Sequence, residues 1–232
     1  MKVKFVATLL ALALLLSCVS VCFAADAFTF RGIPWFTTKV ETLDAMASAG
    51  YKAWWNSKDT TIPDWFQTWS NIIGDYKVAN GGCECSYKNV AVAGYSAKVD
   101  TYFIYPIVNG KVSRDNDKAQ LYLARYIIEG FEDMEAVYAD LKVKLSGLYG
   151  EPVTKNSDSS WTDTIGVKWT AEDGSSIWLA RYTAYGDTDV KIWYIAPNCT
   201  EMLQTLEAQI TQETIDAEEQ ARQDNKNNTS GL

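Results

Sequence analysis

The sequence predicts an α+β fold, with antiparallel sheets and amphipathic helices packed on one face. Three observations support this class. Apolar residues recur at helical spacing between 134 and 149, and segments after Asn89 alternate between apolar and polar residues with period two. Short turns such as Glu172-Asp173-Gly174 separate the last strands. Strands joined by short turns pair antiparallel, so we expect a meandering sheet.

The clearest element is the helix 133–149. Asp133 is placed to cap its first turn, Gly150 can take the left-handed conformation that ends a helix, and Pro152 prevents continuation. Only one face is apolar, so the helix is expected to lie on a sheet. That face is formed by Met134, Val137, Tyr138, Leu141, Leu145, Leu148 and Tyr149.

Two further helices and several strands complete the prediction. Thr38 and Glu41 form a capping box that opens a helix over 38–48, and an apolar stripe predicts another over 199–211. Strands are predicted at 120–129, 161–170, 176–185 and 189–196, with a polar linker at 154–160. Asn109-Gly110 is typical of a hairpin turn.

The chain divides into a leader, one domain and a tail. Residues 1–24 are predicted to be a signal peptide, and residues 25–211 form a single α+β domain. Within it, residues 51–88 are an irregular, tryptophan-rich insertion. Residues 212–232 are expected to be a fraying helix end followed by a disordered tail.

The leader has the features of an export signal. Lys2 and Lys4 precede an apolar stretch at 5–16, and Cys22-Phe23-Ala24 suits a cleavage site. An alternative is a lipobox in which Cys18 is acylated. Either way the protein is expected outside the cytoplasm, secreted or lipid-anchored, with no membrane span after cleavage.

The overall charge is acidic. The chain has 21 basic and 29 acidic residues, a net charge of −8, and cleavage would remove two lysines and no acid, giving −10. Nucleic acids and anionic membranes attract clustered Lys and Arg, so neither is an expected partner.

The chemical inventory lacks the usual catalytic sets. There is no histidine, which excludes Ser-His-Asp and Cys-His hydrolases and histidine-ligated zinc. Phosphate-binding and dinucleotide-binding glycine motifs are also absent. We therefore predict no catalytic residue, no metal and no cofactor, and leave enzymatic activity open with a preference against it.

Paired carboxylates are the one catalytic chemistry that remains, since glycosidases need only two. Asp115/Asp117 and Asp187/Asp189 are the candidate pairs. Solvated turns are the simpler interpretation of both pairs. The alternative function is accordingly a glycosidase-like hydrolase of the cell envelope.

Three cysteines follow the leader, namely Cys83, Cys85 and Cys199. An oxidising compartment permits a disulfide. Pairing of Cys83 or Cys85 with Cys199 is easier than closure of the tight ring between Cys83 and Cys85. A disulfide or free thiols are both preferred over a metal site.

Aromatic content is the unusual positive feature, with nine Trp and thirteen Tyr. Trp169, Trp178 and Trp193 are predicted to share one sheet, which would bury them. Tryptophan also anchors interfaces and stacks on ligands. Core packing is the preferred interpretation for most of the tryptophans. If there is a ligand-binding face, it is predicted at the four tryptophans of the irregular insertion, Trp54, Trp55, Trp65 and Trp69.

The tetrapeptide Leu-Ala-Arg-Tyr occurs twice, at 123–126 and 179–182. An internal repeat would place Arg125 and Arg181 in equivalent positions. A chance match between strands of similar composition is preferred, because the residues around the two copies do not agree.

Three short motifs carry a resemblance to known proteins. They are Phe30-Arg31-Gly32-Ile33-Pro34-Trp35, the strand–helix unit ending Tyr149-Gly150-Glu151-Pro152, and the terminal Gly231-Leu232. Together they resemble a group of uncharacterised exported proteins of gut Firmicutes, although Phe36 replaces the glycine that follows the tryptophan there. The resemblance implies an exported α+β protein without assigned activity. The strand–helix pattern is also similar to BamE-like or inhibitor-like modules, which bind other proteins.

These observations favour a non-catalytic binding protein of the bacterial cell envelope. Its expected partner is an envelope protein or a glycan.

Overall fold

The computed structural model describes residues 27–56, 81–159, 162–184 and 186–227. The predicted signal segment with Cys18 lies outside these residues. Trp65 and Trp69, two of the four tryptophans predicted to form a binding face, and the last residues of the tail also lie outside them.

Within the described residues the chain forms ten strands and three α-helices. The helices are α1 (Lys39–Ser48), α2 (Met134–Tyr149) and α3 (Cys199–Asn227), and a 3₁₀ turn spans Asn116–Lys118. The strands are β1 (Trp55–Asn56), β2 (Gly82–Val92), β3 (Tyr95–Ile104), β4 (Ile107–Val108), β5 (Lys111–Val112), β6 (Gln120–Ile128), β7 (Val153–Ser159), β8 (Thr162–Thr170), β9 (Ser176–Ala184) and β10 (Asp187–Ile195).

Eight of the strands form one antiparallel sheet in the order β1-β2-β3-β6-β10-β9-β8-β7. The sheet consists of two meanders that meet where β6 pairs with β10. This confirms the α+β prediction with an antiparallel sheet. Strands β4 and β5 form a separate hairpin whose turn residues Asn109 and Gly110 both have positive φ, as predicted for Asn-Gly.

One row of residues crosses the whole sheet. Partners that face each other in an antiparallel pair point to the same side, so every member of this row lies on one face. From one edge to the other, the row is Val153, Lys168, Trp178, Trp193, Arg125, Asp100, Ser86 and Trp55.

Helix α2 packs on the opposite face. Arg181 is offset by an odd number of residues from Trp178, so it points away from the row, and it forms an ion pair with Glu135 of α2. Phe30 packs on the same face against Tyr126 and Tyr194. This arrangement places a helix on one face of the sheet, as the fold prediction required.

The predicted caps are present. Thr38 and Glu41 form the capping box of α1, and Asp133 accepts a hydrogen bond from the Ala136 amide at 2.8 Å to start α2. Gly150 follows α2 with φ of +82°. The stripe prediction was wrong at Leu148, which is 72% exposed, whereas Tyr149 beside it is partly buried against the core.

Two other boundaries differ from the sequence prediction. The predicted linker 154–160 is mostly the edge strand β7, which needs no apolar pattern since it pairs with β8 alone. Helix α3 continues to Asn227 rather than ending at 211. Its polar part is supported by side-chain pairs four residues apart, between Gln212 and Asp216 and between Gln220 and Asp224.

Candidate functional site

Two exposed tryptophans lie at the first edge of the sheet. The Trp54 amide donates a 3.0 Å hydrogen bond to the Ser86 carbonyl, and Trp55 begins β1 directly opposite Ser86. Trp54 is 51% exposed and Trp55 is 52% exposed. Their ring centroids are 6.4 Å apart with 48° between the ring planes. Two neighbouring indoles that keep half their surface in water form an aromatic surface available to a ligand.

A cation lies against this aromatic surface. The Lys88 ammonium is 4.0 Å from the centroid of the Trp54 ring. The register between β2 and β3 shifts between Tyr87 and Val90, and Asn89 within this bulge has φ of +56°. A bulge re-aims the side chains of its strand, and both Lys88 and Asn89 are exposed. The bulge therefore places a positive charge beside the tryptophans.

A groove of about 400 Å³ continues from Lys88 along this end of the sheet. We name it the Lys88 groove. Its wall includes Phe131, which is 44% exposed. The groove is lined by Lys88, Asn89, Ser96, Ala97, Lys98, Ile127, Glu129, Gly130 and Phe131. Its volume suits a small ligand or one unit of a polymer.

The far wall of the groove is fixed to helix α2. Phe131 packs edge-on against Tyr95 with ring centroids 5.5 Å apart, and the Tyr95 hydroxyl donates a 2.7 Å hydrogen bond to Asp140. Lys144 contacts Asp140 at 2.6 Å and donates to the Ala93 carbonyl at 2.8 Å. The hydrogen bonds from Lys144 and Tyr95 lower the pKa of Asp140, and the bond to Asp140 raises the pKa of Tyr95. The turn between β2 and β3 is thereby tied to α2.

A buried polar network lies beside the groove. Arg125 Nη2 donates a 2.6 Å hydrogen bond to Asp100 Oδ2, and Ser86 Oγ donates to Asp100 Oδ1 at 2.7 Å. Asp100 is fully buried, and Arg125 is 9% exposed. Lys98, which lines the groove, lies 3.4 Å from Asp100 Oδ1. The network thus connects the groove wall to Ser86, which lies opposite Trp55.

Glu84 is a second carboxylate in this network, within 3.4 Å of the Ser86 hydroxyl. Burial raises the pKa of Glu84, and repulsion from Asp100 adds to the effect. Burial also raises the pKa of Tyr102, whose hydroxyl accepts a 3.2 Å hydrogen bond from Arg125. Sequence reasoning missed this carboxylate pair because its members are on different strands. Their period-two positions on β2 and β3 were the only available signal.

The aspartate pairs named from the sequence occupy turns and strand ends. Asp115 accepts a hydrogen bond from the Asp117 amide at 3.1 Å and contacts Lys118 at 3.3 Å. Asp187 is exposed, while Asp189 contacts Lys191 at 2.8 Å. Local backbone and lysine contacts therefore account for two of these four carboxylates, Asp115 and Asp189.

The cysteines are buried in the core. Cys83 and Cys85 lie in β2 rather than in a loop, and Cys199 begins α3. Cys85 and Cys199 are free thiols, and within the described residues Cys83 forms no disulfide with either. Burial raises the pKa of Cys85 and of Cys199 to about 12. Across the described ranges, no group of three Cys, Asp or Glu side chains is arranged to hold a metal.

The tryptophans singled out in the sequence differ in burial according to their place in the sheet. Trp169, Trp178 and Trp193 lie in β8, β9 and β10 and are buried, as predicted for one sheet. Of the four tryptophans predicted to form a binding face, the described residues include Trp54 and Trp55, and both are exposed.

Comparison with known proteins gives no match to a family model, a curated protein or a solved structure. Among the helices in the described part of the chain, none combines the length and apolarity needed to cross a membrane.

Proposed function

We propose that this chain is an exported, non-catalytic binding protein of the bacterial cell envelope. The observation that carries the proposal is the half-exposed pair Trp54 and Trp55, held at the sheet edge with Lys88 against one ring. Exposed indoles in a rigid setting are costly to leave in water and typical of binding surfaces. The apolar leader and acidic composition support a location outside the cytoplasm, and the ligand is a glycan or an envelope protein.

The position of the two tryptophans at a hydrogen-bonded sheet edge favours a binding role over a catalytic one. Backbone pairing of β1 with β2 fixes Trp55, and the hydrogen bond to the Ser86 carbonyl fixes the backbone of Trp54. A surface that is already ordered loses little conformational entropy when a ligand binds.

The proposal is tested with the full chain and a Trp54→Ala/Trp55→Ala variant. Binding to purified cell-wall glycan is measured by co-sedimentation, and binding to soluble glycans and purified envelope proteins by calorimetry. The variant should lose binding by about tenfold or more, the scale of losing an aromatic hot spot at an interface. A Val143→Ala/Leu148→Ala variant removes apolar groups of α2 that are 72% exposed, more than either tryptophan, and should bind normally. Equal binding by all three proteins would contradict a binding role for the Trp54–Trp55 surface.

A second candidate, the glycosidase-like hydrolase, is favoured by Glu84 and Asp100. Glu84 has a raised pKa, as a general acid requires, and one serine hydroxyl reaches both carboxylates. This candidate predicts slow hydrolysis of a cell-wall glycan that Glu84→Gln abolishes while binding persists. Hydrolysis at the uncatalysed rate by the unaltered chain would reject it.

A further inference from the structure

We infer that the Lys88 groove and the Trp54–Trp55 surface form one site for a glycan that carries carboxylate groups. The inference rests on the proposed binding function and adds the chemical class of the ligand. Three features of the groove support it: its continuity with the tryptophans, its mixed polar lining and its charge.

Lys88 joins the two parts into one site. Its ammonium lies 4.0 Å from the Trp54 ring centroid, and the same side chain lines the groove. A sugar ring stacked on an indole presents its hydroxyl and carboxylate groups at the rim of the aromatic ring. The Lys88 ammonium lies over the face of the Trp54 ring, so we expect the sugar to stack on Trp55 with its carboxylate turned toward Lys88.

The lining of the groove suits a sugar better than a protein side-chain anchor. Hydrogen-bonding groups of both kinds are present: the amide of Asn89, the hydroxyl of Ser96 and the carboxylate of Glu129. The exposed ring of Phe131 adds a second aromatic group at the far wall. Aromatic surfaces combined with a few convergent polar groups recognise the apolar faces and hydroxyls of a sugar. A protein partner needs a contact area of about 800 Å² on each side, whereas this groove fits one saccharide unit.

The charge of the groove selects the ligand among glycans. Lys88 and Lys98 contribute two ammonium groups and Glu129 contributes one carboxylate. Asp100 also contacts Lys98, but Asp100 is buried and is bonded to Arg125 as well. The groove is therefore a locally cationic feature on a chain of net charge −8. Charge complementarity favours a saccharide carboxylate close to Lys88.

The test uses two soluble probes, a tetramer of galacturonic acid and its methyl ester, in which the carboxylate charges are removed and the sugar backbone is the same. Calorimetry on the full chain at low salt should give binding about fivefold tighter for the acid, the scale of an exposed ion pair. Added salt should remove this preference by screening. Lys88→Gln should lose most of the preference for the acid, leaving the part that Lys98 contributes, while a Lys118→Gln change at an exposed lysine on the 3₁₀ turn should retain the preference.

The outcomes separate this inference from the proposed function. If the acid and the ester bind equally and Trp54→Ala/Trp55→Ala loses binding of both, the result supports the binding surface and overturns the charge inference. Binding of a purified envelope protein with no binding of either saccharide would overturn it as well. Loss of the acid preference in Lys88→Gln alone supports it.

Discussion

Arg125 and Asp100 face each other across the β3–β6 pair and share a 2.6 Å hydrogen bond inside the protein. Asp100 is fully buried, so its charge depends on Arg125, Ser86 and Lys98 for compensation. These residues belong to the row that ends at Trp55. This buried network therefore stabilises the strand register that places Trp55 at the edge of the sheet.

Removal of Arg125 should destabilise the fold strongly. Arg125→Met leaves Asp100 buried with one fewer cationic partner, and the expected loss in the free energy of unfolding is about 3–5 kcal/mol. Urea titration followed by far-UV circular dichroism measures it. The double variant Arg125→Met/Asp100→Leu should recover part of this loss, since it removes the buried charge as well.

Arg181 is the matched control, because it occupies the same tetrapeptide Leu-Ala-Arg-Tyr. It is ion-paired with Glu135, whose side chain is 60% exposed. Arg181→Met should cost less than about 1 kcal/mol, as expected for a pair with a solvated partner. Equal losses for the two arginines would contradict the structural role assigned to the buried network.

The difference in stability between Glu84→Gln and the unaltered protein should depend on pH. The folded pKa of Glu84 is raised, so the folded state binds this proton more tightly than the unfolded state does. The ionised side chain therefore destabilises the fold as pH rises above its ordinary pKa of about 4.3. Glu84→Gln should be the more stable protein near pH 7, and its advantage should shrink as pH falls toward about 4. An exposed control, Glu172→Gln, should show no such trend.

The buried thiols should be unreactive in the folded protein. The pKa of Cys85 and of Cys199 is raised to about 12, so almost no thiolate forms at neutral pH, and burial blocks access. Iodoacetamide labelling with peptide mapping should modify both only in denaturant. Rapid labelling of Cys199 in the native protein would show that the start of α3 opens easily.

Substitution of Gly82 should disturb the pairing of β2. A Cβ at this position would lie 1.9 Å from the Phe103 carbonyl oxygen, so the backbones must move apart. Gly82→Ala should cost about 1–3 kcal/mol, the usual scale of overpacking. Thermal unfolding measures this change, and Gly147→Ala is the control because its added Cβ would meet nothing within 4 Å. Wild-type stability in Gly82→Ala would show that β2 does not approach β3 as described.

Local sequence signals predicted α2 well. Asp133, Gly150 and the spacing of Leu141 and Leu145 act within one helix, so the sequence alone determines them. The Asn109-Gly110 turn was predictable for the same reason. Strand β7 was missed because an edge strand lacks the apolar pattern that identifies a central one.

The candidate site depended on long-range register, which local patterns do not determine. No spacing in the sequence indicates that Ser86, Asp100 and Arg125 form one row, or that Trp55 pairs with the first of them. The sequence located a conditional binding face at Trp54, Trp55, Trp65 and Trp69, and of these Trp54 and Trp55 are exposed in the described residues. The bulge that brings Lys88 onto Trp54 carried no sequence signal beyond Asn89, a residue that tolerates positive φ.

Acrylamide quenching of tryptophan fluorescence on the full chain tests the proposed binding surface most directly. The exposed pair should contribute to a quenchable population that the galacturonic acid tetramer protects, and Trp54→Phe/Trp55→Phe should lose this contribution and the protection. The buried Trp169, Trp178 and Trp193 should resist quenching throughout. Quenching that is the same in both proteins, and unchanged by every glycan and purified envelope protein added, would contradict a binding role for Trp54 and Trp55.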